Sequence, residues 1–374
     1  MRPILEVIEL LVDQIKSRLR HRYAINRLQI MAYPGFCNDT EAFVRGRILV
    51  GKDIELGGKD HGAWRNFGNM LKRFLSAEIP HAVIEVSWQG QTKRITCNHE
   101  GFFFERLPIN PADELDVHIR TIEPKTEEPV ELVEKIFPPA PTADLVVISD
   151  IDDTVLLTMA SRAARMVLLT LFGNAHTRKM FVGVSDWYRA LQRGHDGKRN
   201  NLFFYVSTSP WNLYDFLDEF LEVNEIPRGP LFLKDHGLEG GRITISDHRT
   251  HKINAIEKLL ESFPDRPFLL IGDSGQKDPE IYHEIVKRHP HRIKGILIRN
   301  VTAVLVPRTL EIERIGRDVE TRDVKFLLFT HTRDAIKATA KWGLLPQEEA
   351  EIQSTLASDG KVPSTSTVES STSP

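Results

Sequence analysis

The chain has 374 residues, 41% hydrophobic and 27% charged, with a formal net charge of -3. That is an ordinary globular composition, long enough for two domains. The charge excludes a general basic field for nucleic acid, and no stretch reaches the ~18 apolar residues of a membrane-spanning helix.

Residues 1–26 read as an N-terminal amphipathic helix. Ile4, Ile8, Leu11, Ile15 and Leu19 share one face, and Lys16, Arg18, Arg20 and Arg22 crowd the C-terminal end, where cations suit the macrodipole. The helix is expected to dock on the protein's own body, with peripheral contact at a membrane surface as the alternative. Glu6, Glu9 and Asp13 interrupt what would be the apolar region of a secretory signal. Cys37 and Cys97 show no metal-ligand spacing and are expected as reduced packing residues of a cytoplasmic protein.

Residues 27–122 change to short alternating runs separated by turns. Arg27–Tyr33, Ala42–Val50, Ala82–Trp88, Thr92–Cys97 and Leu115–Thr121 suit strands, and Gln89-Gly90-Gln91 marks a hairpin. The expectation is a small β-sandwich with Arg45 and Arg47 on a solvated strand face. Residues 123–142, rich in Pro, Glu and Lys, read as a linker.

From 143 to 346 strands alternate with helices. Apolar runs recur at Leu145–Ile148, Leu202–Val206, Pro230–Leu233, Phe268–Ile271, Gly295–Ile298 and Val324–Phe329, with helical segments at Trp211–Val223, His251–Phe263 and Pro279–His289. This pattern predicts an α/β fold, a doubly wound parallel sheet behind the smaller sandwich. Ligands of such sheets bind outside the carboxyl ends of the strands. The tail, 354–374, is rich in Ser and Thr and is expected to be disordered.

Chemistry gathers at those strand ends. The run V-I-S-D-I-D-D-T places Asp150, Asp152 and Asp153 directly behind a buried strand. Burying unpaired carboxylates costs several kcal/mol or more, so a metal ion is the natural compensation. The second strand runs into Ser207-Thr208-Ser209-Pro210, whose hydroxyls and amides suit a phosphate cradle. Lys252 stands near the start of the helix that precedes the fourth strand. The fourth strand ends in G-D-S-G-Q-K-D, adding Asp273 and Asp278, the latter also well placed to cap the helix from Pro279.

Acid pair, hydroxyl, lysine and second acid pair, in this order, resemble the four motifs of haloacid dehalogenase-like phosphatases. Narrower wording points to one branch. Y-V-S-T-S-P-W at 205–211, G-N-A-H-T-R-K at 173–179 and I-G-D-S-G-Q-K-D-P-E-I-Y at 271–282 resemble the phosphatidate phosphatase family whose yeast member is associated with actin patches. Thr208 stands where many relatives have Asn. The resemblance implies Asp150 as nucleophile, Asp152 as general acid and base, and Ser207 and Lys252 on the phosphoryl oxygens. Asp150, Asp273 and Asp278 with the Asp152 backbone carbonyl would hold Mg²⁺, which favours hard oxygen ligands. Thr208 and Ser209 are expected to bind substrate.

The segment 156–172 is apolar almost all round but carries Arg162 and Arg165 three apart. If it overhangs the site, its apolar residues would enter a lipid interface and the arginines meet anionic headgroups. The expected activity is Mg²⁺-dependent hydrolysis of a lipid phosphate such as phosphatidate. A phosphatase of the same mechanism on a soluble or protein-bound phosphate is the alternative, and a non-catalytic lipid-binding or scaffold protein a further one.

Overall fold

The computed structural model describes residues 28–50, 77–98, 101–110, 115–126, 129–136, 138–151, 181–210, 214–234, 238–239, 242–243, 248–301, 306–348 and 350–351. The helix expected within 1–26, the segment 156–172 and the tail 354–374 lie outside them.

Period-two burial builds the N-terminal part. Along Leu115–Glu123, Leu115, Val117, Ile119 and Thr121 point inward while the residues between face solvent. The strands are β1 (Leu28–Cys37), β2 (Glu41–Val50), β3 (Ala77–Glu78), β4 (Val83–Trp88), β5 (Gln91–Thr96), β6 (Phe102–Pro108), β7 (Leu115–Glu123) and β8 (Glu131–Ile136). One four-stranded sheet runs β1-β2-β3 with β6 also pairing β2, and the other runs β5-β4-β7-β8. All their pairings are antiparallel. The two sheets share one apolar core that includes Ile30, Ile48, Phe103, Ile84 and Val117. Gln89 and Gly90 both take positive φ, 41° and 76°, the backbone of a two-residue hairpin turn whose twist matches its strands.

Two expectations are corrected here. The stretch expected as a linker contains β8, an edge strand paired with β7 from Leu115↔Ile136 to Arg120↔Glu131. Glu131, Val133 and Lys135 are exposed while Leu132, Glu134 and Ile136 turn inward, so the same letters that suggest a linker also make a half-solvated strand. Arg45 and Arg47 are not on a solvated face but buried, at 3% and 4% exposure. Their guanidinium groups lie 5.1 Å from the Phe232 ring and 4.4 Å from the Phe102 ring respectively. Cys37 and Cys97 are buried free thiols, in keeping with a packing role.

The second part consists of β9 (Val146–Ser149), α1 (Val184–Arg193), β10 (Leu202–Pro210), α2 (Tyr214–Val223), β11 (Leu231–Lys234), a two-residue hairpin of β12 (Leu238–Glu239) and β13 (Arg242–Ile243), α3 (His248–Ser262), β14 (Phe268–Asp273), α4 (Asp278–Arg288), β15 (Ile293–Arg299), α5 (Val306–Glu320), β16 (Lys325–Phe329) and α6 (Thr332–Lys341). Six of these strands form a parallel sheet in the order β11-β10-β9-β14-β15-β16. Its strands are apolar on both faces, as a sheet covered on both sides requires. Val147, Leu269 and Leu297 pack with α1, α2 and α6, whereas Val146, Ile148, Leu270 and Ile296 pack with α3, α4 and α5. Among the described residues no helix is long and apolar enough to cross a membrane.

The two parts are joined by buried contacts. Phe36 stacks on Phe43 at 4.3 Å and meets Phe204 of β10 edge-on at 5.1 Å. The Arg45 guanidinium donates to the Leu231 carbonyl at 2.8 Å. Leu231 is on the edge strand β11, so a cation from β2 covers a backbone acceptor that the sheet leaves open.

Candidate active site

β9 lies between β10 and β14, so the carboxyl ends of three neighbouring strands meet at one point. The register pairs Ser149 with Tyr205 on one side and with Ile271 on the other. Chain continuation then brings Asp150, Ser207 and Asp273 to the same edge of the sheet. The Asp150 amide donates to the Ile271 carbonyl at 2.8 Å, which extends the ladder into the loop. Beneath it the Ser149 hydroxyl donates to the Asp150 carbonyl at 2.7 Å and shares a hydrogen bond of 2.8 Å with Tyr188.

Asp150, Asp273 and Asp278 are fully buried and offer carboxylate oxygens that all lie within 4.8 Å of one another. Lys252, 2% exposed, enters from α3. Its ammonium lies 2.5 Å from Asp278 Oδ1 and 3.3 Å from Asp150 Oδ1. Burial alone would lower the Lys252 pKa, but the charges of Asp150, Asp278 and Asp273 outweigh it and hold the group above its ordinary value. The cation is thereby kept charged in the interior.

The loop after β14 shapes the rest. Asp273 Oδ1 accepts from the amides of Gly275 at 2.7 Å and Gln276 at 3.0 Å, and the Asp273 amide donates to Asp278 Oδ2 at 3.2 Å. Asp278 is the first residue of α4, behind the N-cap Lys277. Its carboxylate turns inward to Lys252 and the Asp273 amide, so it serves the acid cluster and not the helix end. Gly272 permits this: a Cβ there would stand 2.5 Å from Asp278 Oδ2.

Ser207 is fully buried and Ser209 is 7% exposed, at the end of β10. The Ser207 hydroxyl accepts the Ser209 amide at 2.9 Å, and Thr208 between them is half-buried. Asp152, Arg162 and Arg165 lie outside the described residues, as do Asp153, Thr154 and 174–179. The structure therefore brings together Asp150, Asp273, Asp278 and Lys252, with Ser207 on the adjoining strand end. It adds Gln276, whose side-chain amide approaches Asp150 Oδ2 at 3.5 Å. A glutamine inside G-D-S-G-Q-K-D carries no titratable signal, and only the loop's fold shows where it points.

The donor set fits a hard divalent cation. Among the described residues it consists of carboxylate oxygens, with no thiol or imidazole, and three acids facing one ammonium keep an excess of negative charge when ionised. Arg299, at the end of β15, is 1% exposed and stands 4.1 Å from the Phe181 ring and 4.8 Å from Phe329. Burial pushes it down to about 10. Its place is in the packing between rings.

Known proteins match parts of this chain. A relative from Schizosaccharomyces pombe, described as an uncharacterized protein, is 27% identical over 237 residues, 61% of this chain and 38% of its own length. Phosphatidate phosphatase APP1 of Saccharomyces cerevisiae is 34% identical over 152 residues, 41% of this chain and 25% of its own length. The chain thus spans well under half the length of either relative. Among solved structures, a carbohydrate acetylesterase from Xanthomonas citri aligns over 88% of this chain and 73% of its own, at 9% identity and a TM-score of 0.31, too little to carry an argument. The family described as phosphatidate phosphatase APP1, catalytic domain, matches residues 145–300, which include every acid of the cluster and Lys252. Residues 145–300 are thus similar to the catalytic domain of the phosphatidate phosphatase APP1 family.

Proposed function

We propose that this chain is a Mg²⁺-dependent phosphomonoesterase of the haloacid dehalogenase-like type that releases phosphate from a lipid phosphate such as phosphatidate. The observation that carries this reading is the buried cluster of Asp150, Asp273 and Asp278 around Lys252, at the carboxyl ends of the central strands of a segment that matches the APP1 catalytic-domain family. The catalytic unit would span 143–346, with the antiparallel part as a separate sandwich domain.

Asp150, Asp273 and Asp278 would hold the cation together with the Asp152 carbonyl. When bound, Mg²⁺ offsets the negative charge that makes a phosphate ester repel nucleophiles. A carboxylate oxygen of Asp150 attacks phosphorus, forming an O–P bond as the ester O–P bond breaks. Asp152 gives its proton to the departing alkoxide, and then takes one from the water that hydrolyses the aspartyl-phosphate. Ser207 and the Lys252 ammonium bind the phosphoryl oxygens, while Thr208 and Ser209 line the same strand end. Arg162 and Arg165 are the candidate headgroup contacts, at a membrane surface reached from the cytoplasm.

The test is phosphate release by the purified chain from phosphatidate, lysophosphatidate and soluble monophosphates, with Mg²⁺ and with EDTA. Asp150→Asn should reduce turnover by several orders of magnitude with the fold retained, roughly 4 kcal/mol or more of transition-state stabilisation. Arg162→Glu with Arg165→Glu should reduce hydrolysis of phosphatidate in mixed micelles yet spare a small aryl phosphate. Equal rates on all substrates would favour the soluble-phosphate alternative, and substantial activity in folded Asp150→Asn would exclude the covalent route.

A further inference from the structure

The loop that carries the second acid pair is held from outside by one side chain far along the chain. Arg308, in the first turn of α5, donates through Nε to the Ser274 carbonyl at 3.2 Å and through Nη2 to the Gln276 carbonyl at 2.8 Å. The same guanidinium grips Glu280 bidentately, Nη1 to Oε1 at 2.5 Å and Nη2 to Oε2 at 3.0 Å, and Nη1 also reaches Glu311 at 3.0 Å. Ser274 and Gln276 lie in the turn between Asp273 and Asp278. Glu280 belongs to the first turn of α4, which Asp278 begins. One cation therefore fastens the loop and the helix start that together place both acids.

Gln276 passes the constraint inward. Its carbonyl is held by Arg308, its amide donates to Asp273 Oδ1, and its side chain approaches Asp150 Oδ2. The loop is also fixed to the end of β15 and the residues after it, through the Ser274 amide on the Arg299 carbonyl at 2.9 Å and the Val301 amide on the Ser274 hydroxyl at 3.0 Å. A planar fork with five N–H donors can make these bonds at once, which a lysine ammonium cannot.

We propose that Arg308 is a positioning residue that sets Asp273 and Asp278 for the divalent cation, an assignment that rests on the metal-dependent reading of the site. Groups that orient metal ligands typically change metal affinity 10–100-fold when removed, leaving the ligands themselves in place. Loss of Arg308 therefore acts first on cation binding, and through it on turnover.

The experiment titrates Mg²⁺ alone into the full chain, following heat of binding and melting temperature, and records hydrogen exchange at Gly275 and Gln276. Arg308→Met should raise the Mg²⁺ dissociation constant by roughly tenfold or more and speed exchange at those two amides. Arg308→Lys should fall between it and wild type. Raised Mg²⁺ should recover the larger part of the turnover lost in Arg308→Met, a rescue that a merely structural defect would not show. Wild-type Mg²⁺ affinity in folded Arg308→Met, or a loss of turnover that Mg²⁺ does not restore, overturns the proposal. If Arg308→Met does not fold, Glu280→Gln keeps the carbonyl bonds and weakens the bidentate grip. It should show the same two changes in smaller measure, and unchanged exchange and affinity there overturn the proposal as well. Wild type that binds Mg²⁺ but hydrolyses no phosphate ester refutes the phosphatase reading alone, because the affinities still decide the role of Arg308. Wild type without any Mg²⁺ response refutes the metal reading and this assignment with it.

Discussion

The Lys252 ammonium lies 2.5 Å from Asp278 Oδ1 and 3.3 Å from Asp150 Oδ1, with all three side chains closed off from solvent. Removing one partner of a buried ion pair leaves an uncompensated charge and costs about 3–5 kcal/mol. Lys252→Met should destabilise the chain by that order in urea unfolding with EDTA present. A bound cation would replace part of the lost compensation, so Mg²⁺ should raise the melting temperature of both proteins, and of Lys252→Met more. Equal stability of the two proteins in EDTA would contradict this account of the cluster.

Gly272 is required by close approach. A Cβ at this position would meet Asp278 Oδ2 at 2.5 Å and Asp278 Cβ at 2.7 Å. Gly272→Ala should therefore push the Asp278 carboxylate away from Lys252 and the Asp273 amide. Overpacking of this kind costs about 1–3 kcal/mol, and activity should fall at least about tenfold as the acids separate. Thermal melting and phosphate release measured together provide the check, and wild-type values for both would show that Asp278 needs no such clearance.

Lys258 of α3 places its ammonium 3.1 Å above the Phe104 ring of β6, across the boundary between the two parts of the chain. Burial, followed by the charges of Arg106 and Arg45, pushes its pKa down to about 8. An unfolded lysine titrates near ~10.4, so between these values the unfolded chain holds a proton that the folded one has released. Stability should then rise with pH across that window, because the penalty for a buried ammonium disappears once the group is neutral in both states. Denaturant unfolding at stepped pH should show this rise in wild type and not in Lys258→Met. A flat difference would mean that attraction to the Phe104 ring offsets burial.

The parallel strands and the acids at their ends were legible because their signals are local. Val146–Ser149 and Phe268–Asp273 are apolar runs closed by carboxylates, and both the buried strand and the break in polarity lie within a few consecutive residues. The alternation of Leu115–Glu123 was legible for the same reason. β8 was not, because an edge strand with one wet face has the composition of a linker until its partner β7 is known. Arg45 and Arg47 read as surface residues from their charge, whereas burial came from Phe232, Leu231 and Phe102, aromatic rings and a carbonyl contributed from 55 to 187 positions away. Asp278 was open to two readings, helix cap or member of the acid cluster, and the inward turn beside Gly272 toward Lys252 decided it. Arg308 carried no signal, since its effect on Asp273 passes through the backbone of Ser274 and Gln276, more than 30 residues earlier. Periodicity and residue type determine which segments become strands and helices, while hydrogen bonds and charges between distant segments exist only once the sheet order has placed those segments side by side.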